Sequence, residues 1–195
     1  MEAIAGTREL LVPDLVPSYR VGLEAAAREV LRLVGPYAAV DLCGLSLGGL
    51  VALRVAEERR NTQDRLTVCA GFDPSRSRRR IRTIATLMRF VPPRLLHRQL
   101  TADLAEPQRS AALEEIAPLG PAELAKLMWQ AAGAEIDASR LVCKTLVLCG
   151  ERDEANLPLS EQLAKRIPDA SLELVPGAGH VANLDNPEAF SALLL

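Results

Sequence analysis

Residues 43–49 read Cys43-Gly44-Leu45-Ser46-Leu47-Gly48-Gly49, and this stretch decides the fold. It holds the pattern Gly-x-Ser-x-Gly. The apolar run Ala38 to Cys43 precedes it, and Leu47 to Arg59, which reads as a helix, follows it. A serine on a very tight strand-to-helix turn projects its hydroxyl above the end of a sheet. The spacing predicts that a side chain at Gly44 or at Gly48 would strike neighbouring backbone. The amide of Leu47, at the helix start, points to where an oxyanion would form, and the helix dipole favours negative charge there.

Outward from this turn the chain alternates short apolar runs with amphipathic stretches. Residues 8–12, 38–43, 66–70, 144–149 and 171–175 read as strands. Residues 18–34 read as a helix capped by Ser18, Ser160 to Arg166 as another, and a last helix starts near Pro187. Strands without alternation, separated by helices, imply a parallel sheet covered on both faces. The fold class expected is α/β, with about five mostly parallel strands and right-handed crossovers. Residues 74–140 break the rhythm: they hold helical stretches and prolines but no convincing strand. The expected organisation is therefore a core of 1–73 and 141–195 with a helical insertion at 74–140.

Composition narrows the function. The chain has 195 residues, 49% hydrophobic and 25% charged, enough for a sizeable core. A net charge of −2 and 3% aromatic residues argue against nucleic-acid binding. No apolar run is long enough to span a membrane, and the first residues lack a signal-peptide pattern. The four cysteines form no Cys-x-x-Cys pair. Cys43, Cys69 and Cys149 end apolar runs and read as core thiols, so a reducing cytoplasm fits and a metal site is not expected.

A serine at neutral pH is a weak nucleophile and needs a base. The chain has two histidines. His97 stands among arginines in the insertion and reads as a surface residue. His180 follows the fifth expected strand, at the sheet edge where parallel α/β proteins place their ligand sites. A carboxylate must then orient the imidazole. Asp153 follows the fourth expected strand, and Asp73, after the third, is its rival. Glu151 reads as solvated or supporting.

The stretches VDLCGLSLGG, LVLCGERDEANLP and VPGAGHVANLDNPEAF, in the order Ser, Asp, His, resemble the α/β-hydrolase superfamily. The nearest likeness is to small esterases, enol-lactonases and cofactor-free haloperoxidases. The resemblance implies Ser46 as nucleophile, Asp153 as orienting carboxylate, His180 as general base and acid, and the Leu47 amide as one oxyanion donor. It implies cleavage of a small-molecule carboxylic ester, lactone or thioester with no cofactor. It also implies strands ahead of residue 8, one ending in a His-Gly loop that carries the second oxyanion donor. No His-Gly dipeptide occurs in the chain, so that donor is unassigned and the core reads as shortened at its N-terminus. Alternatives are a weakly active or non-catalytic remnant, or another triad chemistry: thioesterase, C–C hydrolase or haloperoxidase. An open sheet edge would suit a homodimer.

The insertion is polarised. Residues 75–102 carry eight arginines and no acid, whereas residues 103–137 carry seven acidic residues against Arg109 and Lys126. Complementary packing within a cap is the plain reading, and an Arg-lined entrance for anionic substrates is the sharper one. Ile81, Ile84, Ala85, Met88 and Val91, with Leu124, Leu127, Met128 and Trp129, form apolar clusters suited to a cap core or an acyl pocket.

Overall fold

A computed structural model of the chain describes residues 9–101, 106–107, 109–110, 113–114 and 120–194. The chain divides into two compact units, one of Met1–Asp73 with Ile136–Leu195 and the other Pro74–Glu135.

The first unit is built on four parallel strands in the order β1 (Asp41–Leu45), β2 (Arg65–Cys69), β3 (Lys144–Gly150) and β4 (Ala170–Val175). Parallel pairing in sequence order puts every strand's carboxyl end on one edge. The residues that follow Leu45, Cys69, Gly150 and Val175 therefore share that edge. The sheet has four strands rather than the five expected: residues 9–15 form no ladder. Proline at position 13 truncates that run, and β1 has no strand on its outer side among the described residues. β1 also runs later than expected, because the ladder carries through Gly44 and Leu45 of the tight turn. Cys43 is exposed on this edge strand, which corrects its reading as a core thiol, while Cys69, Cys143 and Cys149 are buried.

Helix α1 (Val16–Val21) and helix α2 (Leu23–Val34) replace the single helix expected from Ser18. Gly22 separates them, and the first starts earlier because Pro17 suits a first turn and Asp14 Oδ1 accepts from the Val16 amide at 3.0 Å. Helix α3 (Leu47–Arg59) occupies the expected residues and is apolar nearly all round, with Leu50, Leu53 and Val55 fully enclosed. It packs on β1, β2 and α2, so it has little solvent face. After the second unit and a short 3₁₀ turn at Ala138–Arg140, helix α7 (Leu157–Arg166) covers β3 and β4, and α8 (Ala182–Asp185) and α9 (Pro187–Leu194) close the chain. Under the carboxyl edge, Cys69, Ala70, Leu148, Val175, Ala178, Ala182 and Phe190 form one core cluster. Burying such side chains stabilises the fold by roughly 1.5–3 kcal/mol for each large one.

The second unit contains α4 (Pro74–Met88), α5 (Pro93–Leu100) and α6 (Pro121–Gly133). Ile81 and Ala85 pack inward with Ala125, Ala131 and Ala132, while Ile84 and Trp129 are exposed and Met88 is half-buried. Two of the arginines are used within this unit. Arg78 Nε donates to the Ala132 carbonyl at 3.1 Å, and the Arg82 guanidinium lies 4.7 Å from the centre of the Trp129 ring. An open depression of about 460 Å³ is lined by Arg89, Ala122, Ala125, Lys126 and Trp129. Of the acidic half of the insertion, Asp103 and Glu115 lie outside the described residues. Among the described residues, no helix is long and apolar enough to cross a membrane.

Candidate active site

Ser46 stands between the end of β1 and the first residue of α3, with φ 52° and ψ −112°. That backbone is sparsely populated for a residue with a side chain and costs on the order of 1–3 kcal/mol. Neighbouring hydrogen bonds hold it. The Ser46 amide donates to the Cys69 carbonyl at 2.8 Å, and the Ser46 carbonyl accepts from Leu50 at 3.3 Å. The turn is tight because Gly44 has no side chain: a Cβ there would run into the Gly48 carbonyl. At Gly48 a Cβ would meet nothing within 4 Å, contrary to expectation. The second crowded position is Gly49, where a Cβ would sit 2.9 Å from Val68 Cγ1. The motif's second glycine is thus free of steric duty, and the residue after it packs against β2. Leu47 opens α3, so its amide has no partner one turn back in the helix.

Asp153 lies in the turn after β3, its amide donating to the Gly150 carbonyl at 3.0 Å. Its residue is 7% exposed. Oδ2 stands 2.9 Å from His180 Nδ1. A carboxylate only accepts, so the ring proton sits on Nδ1 and Nε2 keeps its lone pair. Burial pushes the Asp153 carboxyl upward, but hydrogen bonds from His180 and Asn156 outweigh it and hold the group below the usual aspartate range. Two buried thiols lie near. Cys149 Sγ is 4.0 Å from the Asp153 carbonyl, and burial raises the Cys69 thiol to about 12, so Cys69 is neutral at physiological pH.

His180 sits in the loop after β4, and this loop is tied down at several points. The Gly177 amide donates to Glu151 Oε2 at 2.8 Å, and the Gly179 amide to Asp185 Oδ2 at 2.6 Å. The Arg152 amide donates to the Ala178 carbonyl at 2.8 Å. Gly150 lets the two loops meet, since a Cβ there would run into the carbonyls of Gly179 and Ala178. Glu151 is thus a tether of the histidine loop.

The structure joins Asp153 to His180 and leaves their rivals elsewhere. Asp73 is buried and pairs with Arg166 Nε at 3.2 Å. His97 belongs to α5 of the helical unit. Ser46 shares the sheet edge with the pair, but no hydrogen bond links it to His180 among the described residues; the ring's hydrogen bond runs from Nδ1 to Asp153 Oδ2. Asn156, Gly150 and Asp185 lie in the stretches quoted from the sequence but carry no role in that reading. Asn156 carries a local signal, an amide three residues beyond the orienting aspartate, but its ordinary meaning there is a helix cap.

A family profile described as the alpha/beta hydrolase family matches residues 3–193. Among curated proteins, 49 residues are 33% identical to a putative 2-succinyl-6-hydroxy-2,4-cyclohexadiene-1-carboxylate synthase of Bacillus subtilis (strain 168), over 25% of this chain and 18% of that protein. Among solved structures, a thermophilic esterase from Thermogutta terrifontis superposes with a TM-score of 0.69 at 24% identity, over 95% of this chain and 73% of that one. An enol-lactonase from Burkholderia xenovorans LB400 superposes with a TM-score of 0.66 at 18% identity, over 90% and 72%. Likeness at these identities establishes a shared fold.

Proposed function

The chain belongs to the alpha/beta hydrolase family, and on that premise we propose that it is a serine hydrolase cleaving a carboxylic ester or lactone. One observation carries the reading. A strained serine at a strand-to-helix elbow and a hydrogen-bonded Asp153–His180 pair lie at the carboxyl edge of one parallel sheet.

The chemistry follows from those groups. His180 Nε2 takes the proton of Ser46 Oγ as the oxygen attacks the carbonyl carbon. The imidazolium is stabilised by Asp153 through Nδ1. The tetrahedral oxyanion rests on the Leu47 amide at the start of α3. Collapse breaks the bond to the leaving oxygen, which takes the proton from His180. Water, deprotonated by the same nitrogen, then attacks the acyl-serine and releases the acid and Ser46. Each step uses only side chains and an amide of this chain and water.

A fluorophosphonate probe followed by peptide mass mapping tests the reading. Labelling confined to Ser46 and abolished in Ser46→Ala is expected; a folded chain that takes up no label overturns it. A panel of esters, lactones and thioesters then ranks the acyl chemistries. We also propose a homodimer formed through the outer side of β1, which has no neighbouring strand among the described residues. Sedimentation velocity showing a monomer at every concentration removes that part.

A further inference from the structure

Asn156 occupies the position before α7 where an asparagine ordinarily caps a helix by accepting a backbone hydrogen bond. Here it makes no side-chain cap bond. Its amide is turned back toward the preceding loop. Nδ2 lies 2.8 Å from Asp153 Oδ1, 2.9 Å from Asp153 Oδ2 and 3.1 Å from His180 Nδ1. Its backbone amide adds a third donor, at 3.3 Å from Oδ1. One residue therefore straddles the nearly buried carboxylate, and its amide nitrogen lies beside the imidazole N–H that this carboxylate orients, without bonding to it.

We propose that Asn156 is the positioning residue of the Asp153–His180 pair, clamping the carboxylate and tempering its pull on the imidazole. The assignment rests on the hydrolase reading above for its consequence in catalysis, though its geometry stands apart from it. The carboxylate plane is set by donors on both oxygens, so Oδ2 faces Nδ1 without needing the histidine to hold it. The cost is competition. An amide proton shared with Oδ2 draws charge away from the histidine, so the imidazolium gains less stabilisation than from a bare aspartate. The terms oppose each other: orientation speeds proton transfer, and tempering weakens the hold of Asp153 on the imidazolium. The titratable groups near this contact include Asp153, the Cys69 and Cys149 thiols, and the Glu151 and Asp185 carboxylates that tie down the His180 loop; burial raises both thiols, Cys69 to about 12.

The test uses the full chain as wild type, Asn156→Ala and Asn156→Gln. With two histidines, NMR titration of the imidazole protons is readable, and His97→Gln assigns the signals. In Asn156→Ala the titration midpoint of His180 should rise by about 0.5–1 unit. The acid limb of the fluorophosphonate labelling rate should move up with it, and its plateau should fall about tenfold. Asn156→Gln keeps the amide and should recover part of both. Asn156→Ala should also lower the midpoint of urea unfolding, because a donor to a nearly buried carboxylate is lost, so the His180 titration midpoint rather than stability is the reporting measurement. A folded Asn156→Ala with an unmoved His180 midpoint overturns the proposal. If that variant does not fold, isosteric Asn156→Asp replaces it: a carboxylate in place of the donor must raise the midpoint further, and an unchanged value overturns the proposal equally. A midpoint shifted in Asn156→Ala, with a wild-type chain that never takes up label, sinks the hydrolase reading and leaves the positioning role supported.

Discussion

The two ends of the sheet use the same side chains for opposite purposes. At the amino end, Asp64 precedes β2 and is 2% exposed. It accepts from Arg59 Nε at 2.7 Å, from the Val40 amide at 2.9 Å and from Asn61 Nδ2, three residues before it, at 3.1 Å. At the carboxyl end, Asp153 accepts from an asparagine three residues after it and from His180 at 2.9 Å. Both are buried carboxylates with an amide clamp, and the cationic partner differs. Arg59 stays protonated in water at any ordinary pH and is tied as well to the carbonyls of Val34 and Tyr37, at 3.1 and 3.2 Å. That carboxylate can only hold the chain together. His180 is an imidazole whose side chain is 40% exposed. The guanidinium makes a staple of its carboxylate, and the imidazole is the partner that the proposed chemistry needs.

Mutation can break the comparison, and the largest effect belongs to the carboxyl end. Ser46→Ala should abolish fluorophosphonate labelling, a loss of more than about 10³-fold, with the urea midpoint preserved, since alanine keeps the Cβ and the elbow is unchanged. Asp153→Asn should lower the labelling rate by about 10⁴-fold by favouring the wrong tautomer of His180, while the chain stays folded. A rate within tenfold of wild type would show that Asp153 is a staple like Asp64. At the amino end the pattern reverses. Asp64→Ala leaves Arg59 with a buried, unpaired charge and should cost about 3–5 kcal/mol in urea unfolding, with the labelling rate of folded molecules unchanged. Asn61→Ala removes one donor and should cost about 1 kcal/mol, also without effect on labelling.

Acid sharpens the same contrast. Asp153 sits below the usual aspartate range in the folded chain, so it contributes stability that is present above the unfolded value of about 3.9 and lost as pH falls through the folded one. The gap in unfolding free energy between wild type and Asp153→Asn should therefore narrow as pH drops below about 4. A gap that stays constant to pH 2 would mean the carboxyl is not stabilised by its partners.

Much of this was legible in the sequence where short-range chemistry sets it. Leu47–Arg59 is a helix because its residues favour one and its start follows a forced turn. Asp153 and His180 were identifiable because parallel strands deliver whatever follows them to one edge. The misreadings share a cause. Residues 8–12 look like a strand by composition, but a strand needs a neighbour to pair with, and residues 9–12 find none. Gly48 looks obligatory by pattern, yet the space around it is open, and Gly49 is crowded by Val68 instead. Cys43 looks like core because its run is apolar, and it is exposed because that run forms an edge.

Asn156 is the sharpest case. By itself the sequence determined the alternation of elements, the elbow at Ser46 and the candidates His180 and Asp153, since periodicity and turn sterics act within a few residues. The resemblance favoured Asp153 over Asp73, and the tertiary structure puts Asp153 against His180 and gives Asp73 to Arg166. It also turned Asn156 from a helix cap into a clamp, because the loop holding His180 lies 24 residues further along the chain and meets it in space. Partner choice among buried polar groups depends on which loops the sheet brings together, and that is a property of the pairing rather than of any local run of residues.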